Sequence, residues 1–153
     1  MNFTIVQYQS QEYYRMVELR DTVLRKPLGL TLDLTLLGNE ETSIHIAGFE
    51  GNTLQCCLLL TPLEPSIIQM RQVAVDTHIQ SKGIGKQLVQ FSENIARELF
   101  YKEIILHARK NVVGFYEKMG YSTYGDEYIE VSIPHINMKK ILFIFGTRPE
   151  AIK

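Results

Sequence analysis

Residues 73–86 read Val-Ala-Val-Asp-Thr-His-Ile-Gln-Ser-Lys-Gly-Ile-Gly-Lys, and that order of residue types suits the capture of an anion. Val73, Ala74 and Val75 close a short apolar, strand-like run. Gln80, Ser81, Lys82, Gly83, Ile84, Gly85 and Lys86 follow as a glycine-rich loop, and an amphipathic helix starts almost at once. Backbone N–H groups at a helix N-terminus are unpaired and carry partial positive charge, and glycine lets that backbone come close to a ligand. Lys82 and Lys86 add full charges. The chemistry implied is phosphate binding, most naturally of a pyrophosphate.

Three loop types compete for the reading. A P-loop needs G-x-x-x-x-G-K-[ST], but Gln87 follows Gly85-Lys86 and Gln80 stands where the first glycine belongs. The dinucleotide fingerprint needs a third glycine where this chain has Leu88, and Glu103, at a plausible distance for the acidic partner, opens a strand instead of ending one. What remains is Gln80-Ser-Lys-Gly83-Ile-Gly85, a Q-x-x-G-x-G match. Downstream, Ile84, Leu88, Phe91, Ile95 and Leu99 recur at helical steps. A strand-like Glu103–Ala108 comes next, then Asn111-Val-Val-Gly-Phe-Tyr-Glu-Lys-Met-Gly-Tyr121, which reads as a short helix capped by Asn111 and ended by Gly120.

The two motifs, in this order and with a strand between them, resemble the Q/R-x-x-G-x-G/A loop and the N-x-x-x-x-F-Y-x-x-x-G-F/Y segment of the GNAT N-acetyltransferases, which use acetyl-CoA. The ending Ile133-Pro-His-Ile-Asn-Met138 is similar to the I-P-H-x-x-M ending of a bacterial branch of that family. The resemblance implies a mixed central sheet flanked by helices. It implies acetyl-CoA as acyl donor, with its pantetheine arm pairing with the backbone of Val73, Ala74 and Val75. The pyrophosphate would lie on Gln80 to Lys86, with Asn111 touching the cofactor and Tyr116 near the acyl sulfur. A tyrosine hydroxyl, ordinarily ionising near about 10, is suited to protonate a departing thiolate.

A general base is also required, to take a proton from the attacking amine. His135 and Glu130 are the first candidates; His107, His45 and Asp33 are others, while His78 reads as a surface residue near the loop. The resemblance implies a primary amine of a small molecule or peptide as acceptor. The alternatives are a non-catalytic acyl-CoA-binding or regulatory module, and an interaction domain from a fusion with a nucleotide-sugar epimerase.

Around these residues the periodicity predicts β-α-β-β-β-α-β-α-β-β, an α/β (α+β layered) domain. Its elements are a strand over 3–8, a helix over 11–24 capped by Ser10 with Tyr14, Val17 and Leu24 among its apolar positions, and an irregular leucine-rich stretch over 25–39. A hairpin turns at Glu50-Gly51-Asn52, a proline-bounded loop covers 63–66, and a strand over 67–75 follows. Two closing strands meet around Gly125-Asp126. At 153 residues and 45% hydrophobic, one core is expected, in a domain spanning 1–140. The tail from 141 to 153 resembles the opening K-I-L-x-I-x-G-T-R-P-E-A-I-K of non-hydrolysing UDP-N-acetylglucosamine 2-epimerases and is too short to fold alone.

A net charge of −1 and scattered basic residues argue against nucleic acid. No apolar run is long enough for a membrane span. Adjacent Cys56 and Cys57 suit reduced core positions, and with no signal peptide evident the expectation is a cytoplasmic protein without a metal site. The fold type is compatible with a homodimer.

Overall fold

The computed structural model describes residues 1–30, 34–79 and 83–142. Its elements are β1 (Asn2–Val6), α1 (Gln11–Arg20), β2 (Ile44–Glu50), β3 (Thr53–Glu64), β4 (Ile67–Val75), α2 (Ile84–Glu98), β5 (Glu103–Arg109), α3 (Val113–Lys118), β6 (Ser122–Glu130) and β7 (Ile133–Ile141). This is the order the sequence predicts. The strands form one seven-stranded mixed sheet in the order β1-β2-β3-β4-β5-β7-β6. The chain divides into two compact units, one of residues 1–62 and 70–92, the other of 63–69 and 93 onward.

In the first unit, Ser10 caps α1: its hydroxyl accepts from the Tyr13 N–H (3.1 Å). The helix buries Tyr13, Met16, Val17 and Arg20, a stripe at steps of three, one and three. Tyr14, another apolar position of the helix, is half exposed at 51%. Regular α-helix stops at Arg20. A π-turn over Asp21–Arg25 and 3₁₀ turns over Lys26–Leu28 and Leu34–Glu40 replace the predicted last turn of helix. Pro27 and Gly29 account for the break.

β3 is buried on both faces over Cys56 to Leu60, all at 0% exposure. That is why this strand reads as an unbroken apolar run. Neighbouring residues point to opposite sides, so Cys56 and Cys57 sit in different layers, and both are free thiols. Burial pushes each thiol up to about 12. β3 extends through Pro62 and Leu63 to Glu64, where the sequence suggested a loop.

The charged centre of this unit lies beneath α1. Arg20, fully buried, donates from Nη1 and Nη2 to the two carboxylate oxygens of Glu40 (3.0 and 2.6 Å). The Tyr13 hydroxyl donates to Glu40 Oε1 (2.8 Å), and His45 Nε2 donates to the Glu40 carbonyl (3.0 Å). The bidentate fork ties the 3₁₀ turn to α1.

In the second unit, β5, β7 and β6 form antiparallel ladders. One face carries Ile104, Leu106 and Ala108 with their partners Lys140, Met138 and Ile136. The Lys140 ammonium there donates to both oxygens of Glu93 on α2 (3.1 and 3.1 Å). In α2, whose first turns belong to the first unit and last turns to the second, Leu88, Val89, Ser92, Glu93 and Ala96 are buried, and the expected end of the apolar face, Leu99, is 50% exposed.

Two expectations about the closing strands are corrected. Gly125-Asp126 is not the hairpin turn: Gly125, at φ 72°, lies in a register shift between Tyr124 and Tyr128 inside β6. The turn is Val131-Ser132, with φ 45° and 64°. Two positive φ values in a two-residue loop mark a type I′ geometry that ordinarily selects Asn-Gly. β7 also takes in Ile141, opposite Glu103, and the Leu142 N–H donates to the Lys102 carbonyl (2.8 Å). These two residues of the expected tail therefore complete the β5–β7 ladder. The remainder, 143–153, lies outside the described residues.

Candidate functional site

β4 leads to the glycine-rich loop. Within it Gln72 takes φ 56°, a left-handed conformation rare for a residue with a side chain, one position before Val73. Ala74 is buried, while Val73 and Val75 are half-buried. The Asp76 N–H donates to the Gln55 carbonyl (2.8 Å), holding the strand end to β3. Asp76 then turns the chain: its side chain accepts from the His78 N–H (2.9 Å) and its carbonyl from the Ile79 N–H (3.0 Å). Gln80, Ser81 and Lys82 lie outside the described residues.

At Gly83 the backbone has φ 73°, and a Cβ built there would meet nothing within 4 Å. The position thus combines a conformation that favours glycine with open space in front of it. Among the described residues, the Gly83 carbonyl accepts the first helical bond of α2, from the Gln87 N–H (3.2 Å). The N–H groups of Ile84, Gly85 and Lys86 stand at the positive end of the helix. The exposed Lys86 side chain adds a charge beside them. The cradle fits a pyrophosphate on these three amides.

The second unit presents the other candidates. A 3₁₀ turn over Lys110–Val112 precedes α3. Asn111 is not the cap the sequence suggested: Arg109 and Val112 occupy the two cap positions, and neither makes a side-chain capping bond. Gly120 ends the helix as expected. Tyr116 is 6% exposed, packed edge-on against Phe115 (5.0 Å) and Tyr121 (5.6 Å). Burial pushes its hydroxyl up to about 12. Tyr121 is fixed in turn by donating to Glu93 Oε2 (2.8 Å). Burial and then the adjacent Glu93 carboxylate raise its pKa far above the ordinary tyrosine value.

Three of the candidate bases converge. Glu130 Oε2 lies 3.5 Å from His107 Nδ1 and 3.8 Å from His135 Nε2. Tyr128 stacks on the His135 ring (6.0 Å) and meets His107 edge-on (5.9 Å). The residues share the second face of the β5-β7-β6 ladder, and alternation through the strand pairs puts them there. The sequence names the three separately. Only the register, His107 opposite Asn137 and His135 opposite Tyr128, brings them together.

The other candidates are elsewhere. His45 is locked in the buried Arg20–Glu40 network, where burial holds its imidazole below the usual range. His78 serves a turn through its backbone, and Asp33 lies outside the described residues. Among the described residues no cluster of His, Cys, Asp and Glu is arranged to hold a metal ion, and no helix is long and apolar enough to cross a membrane.

A family model described as an acetyltransferase (GNAT) domain matches residues 64–142. A Bacillus subtilis protein named as a candidate acetyltransferase is 32% identical over 72 residues, covering 47% of this chain and 49% of that protein. A Chlorobaculum tepidum protein named as an uncharacterized N-acetyltransferase is 27% identical over 88 residues, covering 58% and 55%. The matches thus span about half the length of these curated relatives. Among solved structures, a candidate N-acetyltransferase from Lactobacillus plantarum superposes with a TM-score of 0.83 at 19% identity, over 94% of this chain and 100% of that one. An aminoglycoside 6′-N-acetyltransferase complexed with coenzyme A gives 0.76 at 18% identity, over 97% and 99%. At these identities the likeness is one of fold.

Proposed function

The chain belongs to the GNAT acetyltransferase family, and from that premise we propose that it transfers an acetyl group from acetyl-CoA to a primary amine of a small molecule or peptide. The observation that carries the reading is the cradle at Gly83 and the first turn of α2: a left-handed glycine, open space before it, and the helix's positive end. When bound, acetyl-CoA supplies an acyl carbon held on sulfur, from which an amine nitrogen displaces the thiolate.

In this reading, Gln80 to Lys86 hold the pyrophosphate, the backbone of Val73 to Val75 aligns the pantetheine arm, and Asn111, released from capping, contacts the cofactor. His135, with Glu130, takes the proton that the nitrogen gives up as its bond to the acyl carbon forms. Tyr116 faces the sulfur. An alkyl thiol such as cysteine ionises near about 8.5, so complete proton transfer from a hydroxyl at about 12 runs uphill by about 5 kcal/mol. Tyr116 therefore acts chiefly by donating its O–H as charge builds on sulfur.

Calorimetric titration of the whole chain with acetyl-CoA, NADH and ATP tests the reading. Selective binding of acetyl-CoA, lost in Gly85→Glu through crowding and repulsion at the first turn of α2, is the expected result. Equal binding of the three nucleotides, or unchanged acetyl-CoA binding in the variant, overturns it.

A further inference from the structure

We propose that Glu130 and His135, with His107 beside them, form an acceptor cradle that recognises the protonated primary amine of the acceptor, an inference that rests on the acetyltransferase reading above. His135 Nδ1 lies 2.7 Å from the Ile133 carbonyl. A carbonyl only accepts, so Nδ1 carries the proton, and Nε2 of the neutral ring presents a lone pair. That lone pair faces Glu130 Oε2 at 3.8 Å, and His107 Nδ1 faces the same oxygen at 3.5 Å. Both separations exceed the 2.7–3.2 Å range of N–H···O hydrogen bonds. A lone pair and a carboxylate oxygen repel unless a donor stands between them.

A primary ammonium is the group that matches: it brings three N–H donors and one positive charge. Glu130, with its side chain 45% exposed, neutralises that charge. The Tyr128 ring stacks on one imidazole and stands edge-on to the other, and its hydroxyl is pinned by donating to Asn137 Oδ1 (2.6 Å). The aromatic side wall holds both rings in place. Glu130 is held there by the Val131-Ser132 turn, in which a β-branched residue adopts φ 45°. Such strain persists only where the surrounding structure imposes it. The cradle selects by donor number: a quaternary ammonium brings none, and a neutral hydroxyl brings one donor without the charge.

Nuclear magnetic resonance of the whole chain with ¹⁵N-labelled histidine, at mildly alkaline pH where free imidazole is neutral, tests the proposal with n-butylammonium chloride as probe. The expected result is a saturable shift of the His135 and His107 ring nitrogens, absent with tetramethylammonium chloride or n-butanol. In Glu130→Gln, whose exposed position leaves folding intact, the apparent affinity falls by about tenfold or more, the loss expected for a charge-assisted contact. His107→Gln weakens it less.

An equal response to tetramethylammonium, no response at all, or an unaltered response in Glu130→Gln overturns the cradle. Calorimetry with acetyl-CoA on the same sample separates the two readings. Acetyl-CoA binding without the ammonium response overturns the cradle alone, whereas the ammonium response without acetyl-CoA binding supports the cradle and overturns the acetyltransferase reading.

Discussion

Replacing Glu40 by Gln removes one charge from the buried network beneath α1 and changes almost nothing in volume. Arg20 has 0% exposure, and its Nε–H already lacks a hydrogen-bond partner. Among the described residues its charge is balanced through the fork to Glu40 at 3.0 and 2.6 Å. The Gln side chain keeps one acceptor for Tyr13 or Arg20, but its NH₂ meets the other guanidinium donor head-on. Breaking such a pair from one side costs about 3–5 kcal/mol, because a cation stays buried without its counter-charge. With a urea m-value of about 2 kcal/mol/M, that lowers the midpoint by about 1.5–2.5 M.

Removing both charges at once, as Arg20→Met with Glu40→Leu, loses less than the single change, since nothing charged is left behind. The wild-type acid limb carries the same information. Burial opposes the Glu40 charge, but the hydrogen bonds and charge of Arg20 more than offset it and hold the carboxyl below its ordinary value. Its stabilisation is complete above the unfolded pKa of about 4.3 and fades as pH falls through the folded value. His45, held below the usual imidazole range by burial, adds a loss that begins below about 6.5, where the unfolded chain takes up a proton first. Urea titrations of wild type, Glu40→Gln and the double variant at neutral and acid pH check all of this. A midpoint change under about 0.5 M for Glu40→Gln, or a double variant weaker than the single, refutes the reasoning.

Tyr116→Phe is expected to lower kcat by about 10- to 100-fold with acetyl-CoA affinity nearly unchanged, the pattern of a donor lost only in the transition state. Steady-state kinetics with any accepted amine shows it, and an unaltered kcat removes Tyr116 from the sulfur. Val131→Asn with Ser132→Gly installs the pair that a type I′ turn prefers and raises stability by about 1–2 kcal/mol, read as a higher urea midpoint.

Element order was readable because each element declares its own period. α1 shows cap and stripe, β3 shows an unbroken apolar run, and the loop after β4 shows its glycines. What stayed hidden depends on residues distant in sequence. Gly125-Asp126 has the chemistry of a turn and Val131-Ser132 does not, yet the β6–β7 register places the turn at the second pair. The fork between Arg20 and Glu40 joins positions 20 residues apart, and no local pattern announces it. His107, Glu130 and His135 could be named one by one as proton acceptors, but a shared site required the pairing of three strands. Gln72 gives no sign in its residue type that it will adopt a glycine-like backbone.

The paired thiols of β3 turn the chain into its own clock for opening. The molecule has two cysteines and no others, both at 0% exposure and on opposite layers of one strand. A thiol reagent reacts with either only when β3 leaves the core, and the two sites sample different layers. Equal labelling rates at Cys56 and Cys57 mean that both layers part in a single event. A faster rate at one identifies the layer that loosens first, without any probe having to be engineered into the protein.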